Sequence, residues 1–238
     1  MTTYLYGKNS IRERLRTNPE TILKLFVKDT FKDFDILNLA QQVKIVYQQM
    51  SPKDLEKLKP NAHTQGIVAQ IKPFAYTSLN NILSKSPLPT LLFLDKLNDP
   101  HNLGAIMRVV ACMGGFAICV SKHQSCEVTD AVVHVASGGE NYVPVIQVSN
   151  LINTFKAIKK EGYWVAGTVV KGGTVLGKDS LPKPLAVVFG SEGEGLGPAI
   201  QKHLDMKITI LMQGAPLSLN VGMATAIVCY EVNRHATS

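Results

Sequence analysis

The chain has 238 residues, 45% hydrophobic and 18% charged, an ordinary globular balance with enough apolar material for one large domain or two small ones. Its net charge of +7 is uneven: residues 1–85 hold 13 Lys/Arg against 7 Asp/Glu, and residues 86–238 hold 12 against 11. The first third is therefore the part suited to a polyanion, with a merely solvated basic surface as the plainer alternative.

In chain order, a helix with basic and apolar faces is predicted from Lys8 to Arg16, ending before Asn18-Pro19. Ile22–Val27 alternates like a strand, Phe34–Gln42 fits a helix, and Lys44–Gln48 is a second strand. Ser51–Leu58 is a helix with Ser51 as cap and Pro52 in its first position, and Gly66–Ile71 closes the unit. Residues 1–73 are thus expected to form a small α/β domain. A polar stretch with Pro73, Pro87 and Pro89 follows, and 74–89 is read as a linker.

From residue 90 to 238 the alternation repeats on a larger scale. Leu91–Asp95 is a buried strand, and a helix from about Asn102 to Met113 is stopped by Gly114-Gly115. Phe116–Val120 is a strand, VTDAVVHVASGG a helix ended by Gly138, VPVIQV a strand and SNLINTFKAIKKEG a capped helix. Tyr163–Val170, Leu185–Gly190 and Lys207–Met212 are further strands, and SLNVGMATAIVCYEVNRH is the final helix. Apolar strands alternating with helices imply a mostly parallel sheet covered on both faces.

The cysteines, at 112, 119, 126 and 229, form no CxxC and have no histidine pair beside them, so no metal is expected. Cys112 and Cys119 lie in apolar runs and are expected to be buried free thiols of a reducing cytosol. No apolar run approaches the roughly 20 residues of a membrane span, and the N-terminus has no signal-peptide core. A soluble cytoplasmic protein without membrane contact is expected.

Ligands of open parallel sheets sit beyond the carboxyl ends of the strands, and three such ends carry unusual residues. The first, Asp95 into DPHNLGAIMR, holds Asn102, Gly104 and Arg108. An arginine paired at a domain or subunit contact explains it equally well. The second, FGSEGEGLGP, has glycines at 190, 193, 195 and 197 but neither GxGxxG nor GxxxxGK[ST]. Its two carboxylates, Glu192 and Glu194, would repel a pyrophosphate and suit hydroxyls, amines or a cationic ligand; a simple turn before the next helix is the alternative. The third, MQGAPLSLNVGMA, delivers Ser218 and Asn220 to the start of the last helix, as ligand contacts or as a cap.

Together and in this order, DPHNLGAIMR, VVFGSEGEGLG and ITILMQGAPLSLNVGMA resemble the motifs of the SpoU/TrmH family of RNA ribose 2′-O-methyltransferases in the SPOUT superfamily. The resemblance covers residues 86–238. The stretch from YGKNSIRERL to HTQGIVA is similar to the ribosomal-protein-like (L30e/L7Ae-like) substrate-binding domain of the subgroup acting on large-subunit ribosomal RNA, with Thr64 where histidine is usual. Leu211 stands where proline usually precedes Met212, NVGMA lacks the common serine, and ASGGEN departs from Ser-Gly-Ala.

The resemblance implies a parallel sheet with a deep trefoil knot, a homodimer, and S-adenosylmethionine as cofactor. Gly190, Ile210 and Leu219 would supply its backbone contacts, while Thr168, Met212 and Asn220 would line the same cavity. The implied reaction is 2′-O-methylation of a ribose, in guanosine of large-subunit ribosomal RNA; transfer RNA is the alternative substrate, and a catalytically silent RNA-binding or ribosome-assembly factor of the same fold is the other reading. Arg108 is implied as proton acceptor or organiser. A guanidinium gives up its proton too reluctantly to be a good base, so holding an RNA phosphate or ribose is the preferred role. Asn102 and Glu192 would fix Arg108 and the nucleotide, and Ser218 and Asn220 would shape the hydroxyl's site. A nicotinamide-dependent oxidoreductase would need GxGxxG after the first strand, and it is not there.

Overall fold

The structure, a computed structural model, describes residues 3–191, 193–215 and 217–234. The described residues up to Ala75, together with Val128–Tyr142, form one compact unit; Tyr76–Glu127 and the described residues from Val143 onward form a second.

The first unit runs β1 (Thr3–Tyr6), α1 (Lys8–Thr17), β2 (Ile22–Lys28), α2 (Phe34–Gln42), β3 (Tyr47–Met50), α3 (Pro52–Leu58) and β4 (Ile67–Ile71). Its sheet has the order β1-β4-β2-β3, with β4 antiparallel to both neighbours and β3 parallel to β2. Local chemistry starts the helices. Asp33 accepts from the Ile36 N–H (3.3 Å) ahead of α2, and Ser51 Oγ accepts from the Asp54 N–H (3.2 Å) with Pro52 opening α3. Leu5, Ile11, Leu15, Leu25 and Ile67 then bury their side chains between α1 and the sheet. The strand expected at Lys44–Gln48 begins only at Tyr47. Lys44 takes a φ of 59°, and its N–H donates to the Gln41 carbonyl (3.0 Å), so those residues close α2 instead.

Along the rest of the chain come α4 (Leu79–Leu83), β5 (Thr90–Leu94), α5 (Pro100–Met113), β6 (Phe116–Ser121) and α6 (Asp130–Ala136). They are followed by β7 (Val145–Val148), α7 (Leu151–Lys160), β8 (Trp164–Thr168), β9 (Thr174–Val175) and β10 (Leu185–Phe189). The last are α8 (Pro198–Gln201), β11 (Met206–Thr209) and α9 (Val221–Arg234). Seven strands form an all-parallel sheet in the order β7-β6-β5-β10-β8-β11-β9. Every residue of β5 and β10 is buried, as central strands covered on both faces require. One face packs on α7, where the Phe93 and Phe155 rings meet edge to face at 4.9 Å. The α4 turn lies where a linker was expected; Ser78 caps it and Ile82 is buried.

Segment 128–142, read from sequence as part of the stretch 90–238, packs in the first unit. The His134 ring stacks on Tyr6 at 4.2 Å, Lys59 pairs with Asp130 at 2.8 Å, and Tyr142 donates to Glu13 at 2.6 Å. Arg14 and Glu140 form a buried pair at 3.1 Å. Cys119 is buried as expected, but Cys112 is exposed. The apolar run around it belongs to α5, whose buried positions are Leu103, Ile106, Met107 and Val110, and Cys112 falls on the other side.

Candidate functional site

Strands β8, β10 and β11 end side by side, and their carboxyl ends open into a cavity of about 490 Å³. A volume in this range suits a nucleoside-sized ligand. Thr168 contributes from the end of β8, its hydroxyl donating to the Val188 carbonyl at 3.1 Å, and Gly190 from the end of β10. Ile210 and Met212 follow β11, and Ser218, Leu219 and Asn220 lead into α9. The six residues predicted from sequence as cofactor contacts, and Ser218 with them, therefore line one cavity.

The glycine loop has a defined shape. Ser191 and Gly195 exchange backbone hydrogen bonds (Ser191 N–H to Gly195 O 3.2 Å, Gly195 N–H to Ser191 O 3.0 Å), folding the loop back on itself. A Cβ at Gly190 would lie 2.5 Å from the Gly195 oxygen and 2.6 Å from the Leu196 nitrogen. Glycine is needed at 190 because the loop's own backbone occupies the space, and at 195 because its φ is 66°. Glu192 lies outside the described residues. Glu194 is exposed and pairs loosely with Lys96 at 3.6 Å.

Asn220 connects the third motif to the first. Its Nδ2 donates to Asn102 Oδ1 (2.9 Å), while its Oδ1 accepts from the Gly222 N–H (2.9 Å) at the start of α9. Asn102 is itself buried in the first turn of α5. That helix starts two residues earlier than expected, at Pro100, because Asp99 caps it by accepting from the His101 N–H at 2.9 Å. Arg108, two turns further on, is exposed, is absent from the cavity wall, and forms no ion pair with a described residue. Residues of the two loops singled out from sequence line one cavity, whereas Ser191, Phe189 and Ala224 of the wall were passed over. Ser191 was readable from its place between Gly190 and the glutamates. Ala224 was not, since a small apolar helix position looks the same facing a cavity or a core.

Asp95, at the end of β5, donates its N–H to the Phe189 carbonyl (2.9 Å) and so ties the first motif to the cavity rim. Burial holds its carboxyl above the ordinary aspartate range, against the lowering effect of Lys96. Among the described lining residues there is no Lys or Arg; the wall is apolar side chains, backbone and hydroxyl or amide groups. That combination suits a nucleoside carrying a small charged group and is a poor receptor for a pyrophosphate.

Residues 89–230 match the SpoU rRNA Methylase family, and residues 4–77 match the RNA 2′-O ribose methyltransferase substrate binding domain. The chain belongs to the SpoU family. Within that family it is 35% identical over 237 residues to the 23S rRNA (guanosine-2′-O-)-methyltransferase RlmB of Vibrio vulnificus, covering 97% of this chain and 96% of that protein. It is 33% identical over 237 residues to a putative TrmH family tRNA/rRNA methyltransferase of Staphylococcus saprophyticus, covering 97% and 94%. Its fold superposes with a TM-score of 0.82 on the SpoU methyltransferase AviRb of Streptomyces viridochromogenes, solved in complex with AdoMet. That match has 20% sequence identity and covers 100% of this chain and 92% of the other.

Proposed function

We propose that this SpoU protein transfers a methyl group from S-adenosylmethionine to the 2′-hydroxyl of a guanosine ribose in large-subunit ribosomal RNA, as a cytoplasmic homodimer. The carrying observation is the convergence of Thr168, Gly190, Ile210, Met212, Leu219 and Asn220 on one cavity at the ends of three parallel strands. The cavity fits this cofactor: apolar walls for a purine, exposed backbone for its ring edges and ribose, and no basic side chain among the described residues to oppose a sulfonium. When bound, the cofactor supplies an already activated methyl group. The chain's share of the work is alignment and proton removal.

Asn102 fixes Asn220 through the 2.9 Å amide bond, so the α5 start and the third motif act as one frame. Ser218, which lines the cavity wall, is assigned to contact with the incoming ribose hydroxyl. Arg108, exposed and carrying a planar guanidinium fork, is suited to hold a phosphate or ribose rather than to accept a proton. Glu192 is assigned to orienting Arg108 and the nucleotide. The N-terminal stretch 4–77, which matches a substrate-binding domain and lies in the basic first third of the chain, supplies RNA affinity and favours ribosomal over transfer RNA. The segment after β11 is proposed to thread a trefoil knot, and two copies to pair near the cavities.

The test is transfer of labelled methyl from S-adenosylmethionine to large-subunit ribosomal RNA, with transfer RNA in parallel. Arg108→Ala is expected to lose on the order of a hundredfold in methyl transfer while still binding cofactor. No transfer to either RNA, with RNA binding intact, would leave the silent assembly-factor reading in its place.

A further inference from the structure

Glu194 and Lys96 have no part in the scheme above, yet both stand at the rim of the cavity. Lys96 follows Asp95, whose N–H is bonded to the Phe189 carbonyl beside Gly190. Its own backbone is left-handed, with a φ of 54°. A glycine adopts that conformation without strain, whereas a residue with a Cβ does not. The Lys96 ammonium reaches Glu194 Oε2 at 3.6 Å, with side chains 48% and 81% exposed. A pair so long and so wet contributes little stability and separates easily. Its position is more informative than its strength, because Glu194 belongs to the loop whose Gly190, Ser191, Gly193 and Gly195 line the cavity.

We propose that Lys96 binds a backbone phosphate of the RNA next to the methylated nucleotide, and that Glu194 holds the ammonium at the rim until that phosphate displaces it. The proposal rests on the RNA methyltransferase reading and adds a substrate contact to it. Glu194 and the Asp95 carboxyl next to Lys96 put negative charge on this side of the cavity, which an approaching RNA strand would meet. A cation in their midst offsets that repulsion. It also adds one counterion-releasing contact to the binding equilibrium. Glu194 as a place-holder keeps the lysine from collapsing onto the more buried Asp95.

The measurement is filter binding of a large-subunit ribosomal RNA transcript to the full-length protein across about 50–200 mM salt, with S-adenosylmethionine affinity by calorimetry alongside. Lys96→Gly and Lys96→Gln are expected to weaken RNA binding roughly three- to tenfold at low salt and to reduce the slope of log K against log salt by about 0.7–0.9. Cofactor affinity should stay within about twofold, Lys96→Arg should restore the RNA slope, and Glu194→Gln should tighten RNA binding. Lys96→Gly relieves the left-handed backbone, which offsets the freedom glycine adds to the unfolded chain, and circular dichroism confirms that the variant is folded. Wild-type RNA slope in Lys96→Gly, or a loss confined to cofactor affinity, would overturn the phosphate contact alone. A wild-type protein that binds no ribosomal RNA would overturn the RNA reading itself.

Discussion

Gly190 shows most directly how a single residue shapes the site. It has no room for a side chain because the loop returns over it, with the Gly195 oxygen 2.5 Å from any Cβ. Gly190→Ala must therefore push the 191–195 turn away from the strand end. The expected result is a cofactor affinity reduced about tenfold or more and methyl transfer reduced on the order of a hundredfold. Calorimetry and a labelled-methyl assay would read this, with circular dichroism to confirm the fold. An alanine variant with wild-type cofactor affinity would mean that the loop does not touch the ligand. Asn220 serves both structure and site through the two ends of its amide. Asn220→Ser keeps an acceptor for the Gly222 N–H but cannot span the 2.9 Å bond to Asn102. The cap is then largely retained, a loss of about 1 kcal/mol at most, while cofactor binding weakens. A large drop in thermal stability instead would assign Asn220 mainly to folding.

Among the elements, the buried Arg14–Glu140 pair joins α1 to the segment after α6. Burial raises the Glu140 carboxyl despite the opposing charge and hydrogen bond of Arg14. Removing one partner strands the other, so Glu140→Ala is expected to cost about 3–5 kcal/mol by urea denaturation, and Glu140→Gln clearly less. Asp33 titrates in the opposite direction. Burial would raise it, but the hydrogen bonds from Lys8 and the Ile36 N–H and the charges of Lys8 and Arg12 together hold it below 3.8. The folded carboxyl thus binds a proton less readily than the unfolded one. Its contribution is complete above the unfolded value and is lost as pH falls through the depressed folded value. Asp33→Asn, which keeps an acceptor at the start of α2, should flatten that acid limb in denaturation midpoints taken between about pH 2 and 6. These elements were unequally legible in the sequence. Central β5 and β10 were plain because every residue is buried, leaving an unbroken apolar run. Edge strand β1 buries only Leu5 and so has no period to read, and β9 is two residues long. Periodicity revealed α6 as a helix but not the core its apolar face would meet. The site loops were legible through their glycines and strand-end positions. Lys96 was not, because its meaning lies in a dihedral angle and in a partner from a distant motif.

For the molecule as a whole, the open question is what covers α9. Met223, Ile227 and Tyr230 recur at helical spacing on its outer side, 63%, 40% and 61% exposed, and Leu211 and Leu217 of the preceding loop are 62% and 71% exposed. The opposite face of α9 is buried through Val221, Thr225, Val228 and Val232, so both sides of this helix carry apolar groups. A helix of that kind ordinarily has a second surface against it. A second copy of the chain related by a two-fold axis is the most economical occupant, since one self-complementary patch serves both partners. The same stripe begins directly after Asn220, so pairing there would also steady the loop that lines the cavity. Ile227→Lys places two like charges across such an axis and should convert a dimer to monomers in sedimentation equilibrium. It should also lower methyl transfer at least about tenfold, because the third-motif loop loses its support. The variant keeps the buried face of α9 and should retain wild-type helicity. A wild-type protein that sediments as a monomer, or a monomeric variant with undiminished transfer, would separate catalysis from pairing and leave the α9 stripe to another partner.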